Sequence, residues 1–359
     1  MLNYLISKYS KQVELMKNTE QDFEFHAEGN VFIHTQMVYE ALMNLEEFNQ
    51  CNKEEQRILI YTAFFHDIGK HKTSHLEDNH IRSHGHSRVG MKITQELLYL
   101  NGYDFNFRKE VSSLIRYHGF PVFALEKKDF EIAKLSLVLN TKLLYILSKA
   151  DILGRISDKE SIENSLLNIE YFKDICVYQG CFGALKSFVS NEQKMFYLEN
   201  GYLYEPYKEK ASVVYLLSGL PGSGKDYEVN NSELSCLPVI SLDNMRREKK
   251  VRYNDTVAQG QIIQEAKALA KKYLAQKIDF VWNATNISSS LRQSLINLFR
   301  NYGAYVNIMY VEVPYKKLLK QNSNREHPIP EKAIKELIRK LDLPNELECH
   351  EVTYVVKDF

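Results

Sequence analysis

Residues 213–225 read VVYLLSGLPGSGK. A β-branched apolar run that breaks into a glycine-rich turn closed by lysine is the pattern of a buried parallel strand feeding a phosphate-binding loop. In G-x-x-x-x-G-K the glycines permit a tight loop whose backbone N–H groups wrap a phosphate, and the lysine reaches the outer phosphate oxygens. Gly219, Pro221, Gly222, Ser223, Gly224 and Lys225 are therefore the candidate nucleotide-binding residues, with ATP or another NTP as ligand. Asp226 stands where a Ser or Thr hydroxyl ordinarily holds Mg²⁺; a carboxylate is also an oxygen ligand for that ion.

Working outward from this stretch, strands and helices alternate downstream: LPVISLD (237–243), QGQIIQEAKALAKKYLAQK (259–277), DFVWNATN (279–286), SLRQSLINLFRNYG (290–303) and AYVNIMYVEVP (304–314). Such alternation predicts an α/β unit with a parallel sheet. Asp243 at the second strand end is placed to accept a hydroxyl proton, with Arg246 three residues on. Asn283, Thr285 and Asn286 at the third strand end are equally a substrate-orienting group or a turn and helix cap. Arg325 lies in a polar loop cut by Pro328 and Pro330, which suits a lid that neutralises transition-state charge. The basic run RREKKVR (246–252) lies beside Asp243, where a nucleic-acid backbone would gain from it.

Upstream the periodicity changes. YLYEPYKEKA (202–211) interrupts it, which predicts domains at 1–205 and 212–359 joined by a linker at 206–211. Apolar residues recur at helical spacing in VYEALMNLEEF (38–48) and QRILIYTAFFHDIGK (56–70), so the first half reads as all-α. Nine of the eleven histidines precede residue 120, which assigns any metal chemistry to that half. His34, the adjacent pair His66-Asp67, and Asp151 each sit inside or at the end of an apolar helical run, a costly place for a polar side chain without a partner. Imidazoles and carboxylates converging from several helices suit one or two divalent transition metals, Mn, Fe, Co, Ni or Zn alike. His71, His75 and His80, in a polar stretch, read as a solvated or substrate-facing loop.

Composition narrows the classes. The 359 residues carry 46 Lys+Arg against 46 Asp+Glu, which excludes a wholesale polybasic binder though not a local basic groove. Five scattered cysteines without a CxxC pair exclude a disulfide framework and a zinc finger, and point to a reducing compartment. Charges interrupt every apolar run near the N-terminus, and no stretch of about 18 apolar residues occurs, so a cytoplasmic protein without membrane contact is expected.

The H…HD…D pattern with HDIGK (66–70) resembles the HD phosphohydrolase superfamily over roughly residues 30–160; GHSRVG (85–90) and RYHG (116–119) are similar to its further histidine segments. The resemblance implies that His34, His66, Asp67 and Asp151 hold one metal, and that His86 and His118 complete a second site bridged by Asp67. His84 is the alternative to His86. Lys70, and less directly Arg155, would steady phosphate charge. Two metals about 3.5–4 Å apart clamp a phosphate and activate a water.

Residues 212–345 look like the P-loop kinase family that includes the 5′-OH polynucleotide kinases, on GLPGSGK, LDNMR and the N-x-x-R lid. The likeness implies Asp243 as the base, Arg246 on the acceptor phosphate, and Lys225 and Arg325 on the donor phosphates beside Mg²⁺, with Arg292 a weaker candidate. An HD domain ahead of such a kinase resembles the bifunctional bacterial end-healing enzymes. They hydrolyse 2′,3′-cyclic phosphate (and 2′- or 3′-phosphate) ends and phosphorylate 5′-OH ends of RNA or DNA, preparing them for a separate ligase. The alternatives are a nucleotide phosphohydrolase fused to a nucleoside or small-metabolite kinase, and a nucleotide-sensing regulator.

Overall fold

The computed structural model describes residues 1–207, 209, 211–251, 255–325 and 328–357. Lys208 and Lys210 of the expected linker, Arg252 of the basic run, and Glu326 and His327 of the expected lid lie outside the described residues. The chain divides into two compact units, Met1–Ser187 and Phe188–Phe359.

That division falls ahead of the boundary expected at 205–212. Helix Asn191–Asn200 is the cause, because its polar side chains pair within the second unit. The buried Lys194 ammonium sits 2.5 Å from Glu346, Asn191 Nδ2 donates to the Tyr305 hydroxyl at 2.6 Å, and Glu199 pairs with Arg300. These are pairings between residues more than a hundred positions apart, and no local periodicity announces them.

The first unit is helical, as its spacing predicts. Polar caps set its register: Asn30 accepts from Ile33 N ahead of helix Val31–Asn44, and Asn52 with Glu55 forms a capping box at helix Lys53–Phe65. Asp104 and Asn140 cap helices Phe105–Tyr117 and Thr141–Leu153 in the same way. The faces so aligned bury Leu59, Phe64, Phe65, Leu114, Ile146 and Leu147 in one core. Each such side chain contributes about 1.5–3 kcal/mol. The polar stretch after residue 71, expected as a loop, carries two short strands. It forms a hairpin of β1 (His75–Glu77) and β2 (His80–Arg82), joined by Asp78 and Asn79 with φ of 49° and 64°. Two adjacent left-handed residues match the twist of a two-residue hairpin turn.

The second unit is a five-stranded parallel sheet of β3 (Val213–Ser218), β4 (Val239–Ser241), β5 (Phe280–Asn283), β6 (Tyr305–Glu312) and β7 (Glu351–Val356). The order is β4-β5-β3-β6-β7, with every neighbouring pair parallel. Strand β7 has no counterpart in the sequence reading. Because the chain passes from β3 to one side of the sheet and returns to the other side at β6, the carboxyl end of β3 is a switch point, where α/β sheets bind ligands. The glycine-rich loop leaves β3 there.

Candidate active sites

In the first unit, His66 and Asp67 follow directly from helix Lys53–Phe65, and the turn continues as Ile68-Gly69. Gly69 is required here by packing: a Cβ on it would lie 2.0 Å from the carbonyl oxygen of His86. Only without that carbon does helix His86–Leu100 come close enough to set His86 beside Asp67. His34 comes from helix Val31–Asn44, His118 from the end of helix Phe105–Tyr117, and Asp151 from helix Thr141–Leu153.

The six expected ligands meet. His34 Nε2 lies 3.1 Å from Asp151 Oδ1 and 3.7 Å from Asp67 Oδ2; His66 Nε2 lies 3.3 Å from Asp67 Oδ2 and 3.9 Å from Asp151 Oδ1. On the other side of Asp67, Oδ1 is 3.4 Å from His86 Nε2 and 3.8 Å from His118 Nε2, and those two nitrogens are 3.3 Å apart. His84, the alternative to His86, is on the surface beside Glu77, its side chain 72% exposed.

The far ring nitrogens explain why the near ones point inward. Nδ1 of His66, His86 and His118 each faces the carbonyl three residues earlier, of Ala63, Ser83 and Ile115, at 2.8–2.9 Å. A carbonyl only accepts, so Nδ1 carries the proton and donates, which leaves the Nε2 lone pair for the site. His34 Nδ1 donates in the same manner to Glu28 Oε1 at 2.8 Å and the Gly154 carbonyl at 3.2 Å. His66 Nε2 and Asp67 Oδ1 are buried with no hydrogen-bond partner among the described residues. Orphaned buried acceptors, one on each side of Asp67, are expensive, and a cation is what satisfies them. The donor set therefore fits divalent metal, with His34, His66 and Asp151 as one group and Asp67, His86 and His118 as the other.

Electrostatics agree with a carboxylate kept ionised. Burial pushes the Asp67 carboxyl up, but Lys70 and His66 more than offset it and hold it well below the ordinary value. Lys70 Nζ lies 2.7 Å from Asp67 Oδ2 and donates to Gln21 Oε1 at 2.6 Å. Burial, aided by His86 and His66, pulls the His118 ring down to about 4, so it is neutral at pH 7 as a ligand must be.

Sequence reasoning missed Glu28 and His26. Both lie in the loop before the first ligand helix, where nothing is periodic. Glu28 bridges His34 Nδ1 and His26 Nδ1, the latter at 2.9 Å. It fixes the His34 imidazole from behind, and a carboxylate in that position behind a metal-binding imidazole is typically worth about 10–100-fold in metal affinity. Glu28→Gln is expected to weaken metal binding by about that factor, measured as the dissociation constant for Mn²⁺ or Co²⁺ by calorimetry; an unchanged constant would remove Glu28 from this role.

In the second unit, Gly224 adopts φ 98° at the end of the glycine-rich loop, a conformation that favours glycine, and a Cβ there would meet nothing within 4 Å. Lys225 Nζ donates to the carbonyls of Gly219 and Leu220 at 2.9 and 3.0 Å, lying along the loop that phosphates would occupy. The Ser223 hydroxyl is buried without a partner among the described residues. This open loop with an unpaired hydroxyl fits a phosphate guest. Burial pulls the Lys225 pKa down to about 8 against the opposing pull of Asp226 and Asp243, while Arg325 adds to the downward push. Asp226, Asp243 and Arg325 thus act on the lysine through space.

Asp243 lies in the first turn of helix Leu242–Glu248, which follows β4. Arg246 Nη1 donates to Asp243 Oδ1 at 2.6 Å and its Nε to Gln259 Oε1 at 2.5 Å. Asp226 accepts from Asn283 Nδ2 at 2.6 Å, so the third strand end holds the residue that replaces the usual hydroxyl. Asn286, by contrast, ties the sheet together: its Nδ2 donates to the Leu217 carbonyl, and its own carbonyl accepts from Ser218 and Arg292. Thr285 contributes its backbone carbonyl to Gly219 N at 3.0 Å. Arg325 follows helix Tyr315–Ser323, whose Leu318 and Asn322 backbone packs on Gly222.

Arg292 does not meet the expectation of a phosphate ligand. It is fully buried, and its guanidinium grips Glu348 with two bonds of 2.7 and 2.8 Å. Arg292→Ala strands that carboxylate and is expected to cost about 3–5 kcal/mol in denaturant unfolding, with ATP affinity unaltered in the folded variant; a stable variant that fails to bind ATP would restore the ligand role.

No helix among the described residues is long and apolar enough to cross a membrane. Residues 31–156 match the HD domain family and residues 214–344 match the AAA domain family. Among curated proteins, an L-seryl-tRNA(Sec) kinase of Methanococcus maripaludis is 26% identical over 134 residues, 36% of this chain and 52% of the relative. The chain thus spans about half the length of the curated relative it matches. A solved Pnkp1/Rnl/Hen1 RNA repair complex shares 19% identity over 38% of this chain and 46% of its own, at a TM-score of 0.34. A putative kinase from Chloroflexus aurantiacus shares 15% over 42% of this chain and 87% of its own, also at 0.34. This one chain carries an HD domain at residues 31–156 and an AAA domain of the P-loop kind at residues 214–344.

Proposed function

We propose that the chain is an end-healing enzyme for broken RNA or DNA, its HD domain hydrolysing 2′,3′-cyclic phosphate (and 2′- or 3′-phosphate) ends and its P-loop domain phosphorylating 5′-OH ends with ATP or another NTP. The observation that carries the reading is the pairing, in one polypeptide, of an inward-facing histidine–aspartate cluster with a glycine-rich loop along which Lys225 lies. The partial match to a kinase named for L-seryl-tRNA(Sec) supports an acceptor carried on RNA. Preparing both ends for joining implies a separate ligase as partner.

In the HD domain, His34, His66, Asp67, His86, His118 and Asp151 would hold one or two divalent ions, which when bound supply Lewis acidity and activate water. Lys70 and Arg155 line the same cavity and place positive charge against a phosphate. As water oxygen bonds to phosphorus, the P–O bond to the ribose 2′ or 3′ oxygen breaks. In the kinase, Lys225 and Arg325 neutralise the donor phosphates beside Mg²⁺, and Asp226, held by Asn283, is the oxygen donor available to that ion. Asp243 takes the proton of the 5′-hydroxyl as its oxygen bonds to the γ-phosphorus and the nucleoside diphosphate leaves. Arg246, already on Asp243, orients that carboxylate and meets the acceptor phosphate.

The HD cavity, about 180 Å³, takes in a phosphate and not the nucleotide behind it, which suits a second reading in which the phosphate of a free nucleotide is hydrolysed. One oligonucleotide bearing a 5′-OH and a 2′,3′-cyclic phosphate, incubated with labelled ATP and divalent metal beside a free nucleoside and a free cyclic nucleotide, tests both. Conversion of both strand ends supports end healing; action on the small molecules alone would reject it.

A further inference from the structure

The HD cavity has two unlike walls. One is charged: Asp67, Lys70 and Arg155 face it beside the ligand histidines, and Arg155 Nε is buried without an acceptor among the described residues. The other is apolar and comes from the residues just after His118, namely Gly119, Val122 and Phe123. Phe123 is 53% exposed although it borders a site full of charge. What sets Phe123 apart from the other exposed hydrophobics is its place: with Val122 it forms an apolar rim on an otherwise charged cavity.

The segment that carries it is fixed. Ser148 Oγ donates to the His118 carbonyl at 2.6 Å, Phe120 packs edge-on against Phe172, and Asn168 Oδ1 accepts from Leu125 N at 3.1 Å. Within the short helix Pro121–Glu126 the backbone leaves helical geometry at Phe123 itself, with φ −114° and ψ 25°. Gly119 keeps the approach open, since a Cβ there would meet nothing within 4 Å.

Size decides what reaches Phe123. Pockets that enclose a whole drug-sized ligand occupy about 300–1,000 Å³, and this one holds about 180 Å³. A phosphate drawn in by Lys70 and Arg155 leaves the remainder of a nucleotide at the mouth, against the apolar wall. We propose that Phe123, with Val122 and Gly119, is a nucleobase subsite, so that the HD domain recognises its phosphoester by stacking the base of the nucleotide that carries it. This deepens the phosphoesterase reading of the same cavity and rests on it. Stacking tolerates every base, and at about 5- to 150-fold in affinity per stacked base it gives preference for nucleotides without sequence specificity.

The test compares binding of adenosine 3′-phosphate with binding of β-glycerophosphate, which has no base, to the full chain in EDTA so that neither is turned over. The wild type is expected to favour the nucleotide by at least about tenfold, and Phe123→Ala to bring the two dissociation constants within about twofold. Phe123→Trp keeps the preference, and its emission is quenched by the nucleotide only; the chain's single natural tryptophan, Trp282, is buried in the other unit. A wild type without preference, or Phe123→Ala that retains it, would overturn the subsite. Failure of the wild type to hydrolyse either ester with added Mn²⁺ would instead count against the phosphoesterase reading, and the ratio of constants would still decide the subsite.

Discussion

Replacing Asp67 by Asn is expected to empty the metal centre and lower phosphoesterase turnover by about 10³-fold or more, while transfer of label from ATP continues. Both oxygens of Asp67 are committed, Oδ2 toward His34, His66 and Lys70 and Oδ1 toward His86 and His118. The amide keeps the volume but loses the charge that joins the two ligand groups. The several kcal/mol of transition-state stabilisation that metal supplies goes with it. Metal content by mass spectrometry and cyclic-phosphate hydrolysis are the measurements, with kinase rate as control. Retained metal with full hydrolysis would remove Asp67 from the centre; loss of both activities would point to a folding defect.

Asp243→Asn is the second large effect. A proton acceptor positioned on a reacting hydroxyl contributes about 10²–10⁴-fold, so the rate of 5′ phosphorylation should fall by that much. ATP affinity should change far less. Asp243 acts on Lys225 only through space, raising a pKa that burial pulls down to about 8, and the phosphate-wrapping loop itself is untouched. Single-turnover transfer from labelled ATP, set beside the calorimetric dissociation constant, separates the two. An unchanged transfer rate would take Asp243 out of the base role; equal loss of binding and rate would make it a structural part of the loop.

Much of both sites was legible because their signals are local. A glycine loop after a β-branched run, and a histidine–aspartate pair closing an apolar helix, each carry their meaning within a dozen residues. What escaped depends on distant partners. Arg292 stands on an amphipathic helix like any surface arginine, and only Glu348, 56 positions away, makes it a buried structural pair. Lys194 and Glu346, 152 positions apart, attach a helix to the second unit and move its boundary from the proline-bearing stretch to Ser187. Glu28 and His26 lie in an irregular loop, and their worth appears once His34 has been packed against them. The sequence favours His86 over His84 through its Gly85 and Gly90 flanks; the helix start at His86, after Gly85 in the left-handed conformation, turns it inward and leaves His84 at the surface.

The Nε2 atoms of four histidines converge on two carboxylates, and the account stands on that convergence being a cation site. Diffraction from crystals grown with Mn²⁺, collected to reveal anomalous scattering, tests it directly. The expected result is at least one strong peak about 2.0–2.3 Å from His66 Nε2 and an Asp67 oxygen. A map with no peak there, or with Mn²⁺ held only by the separate Asp22, Glu24 and His80 group, would contradict it.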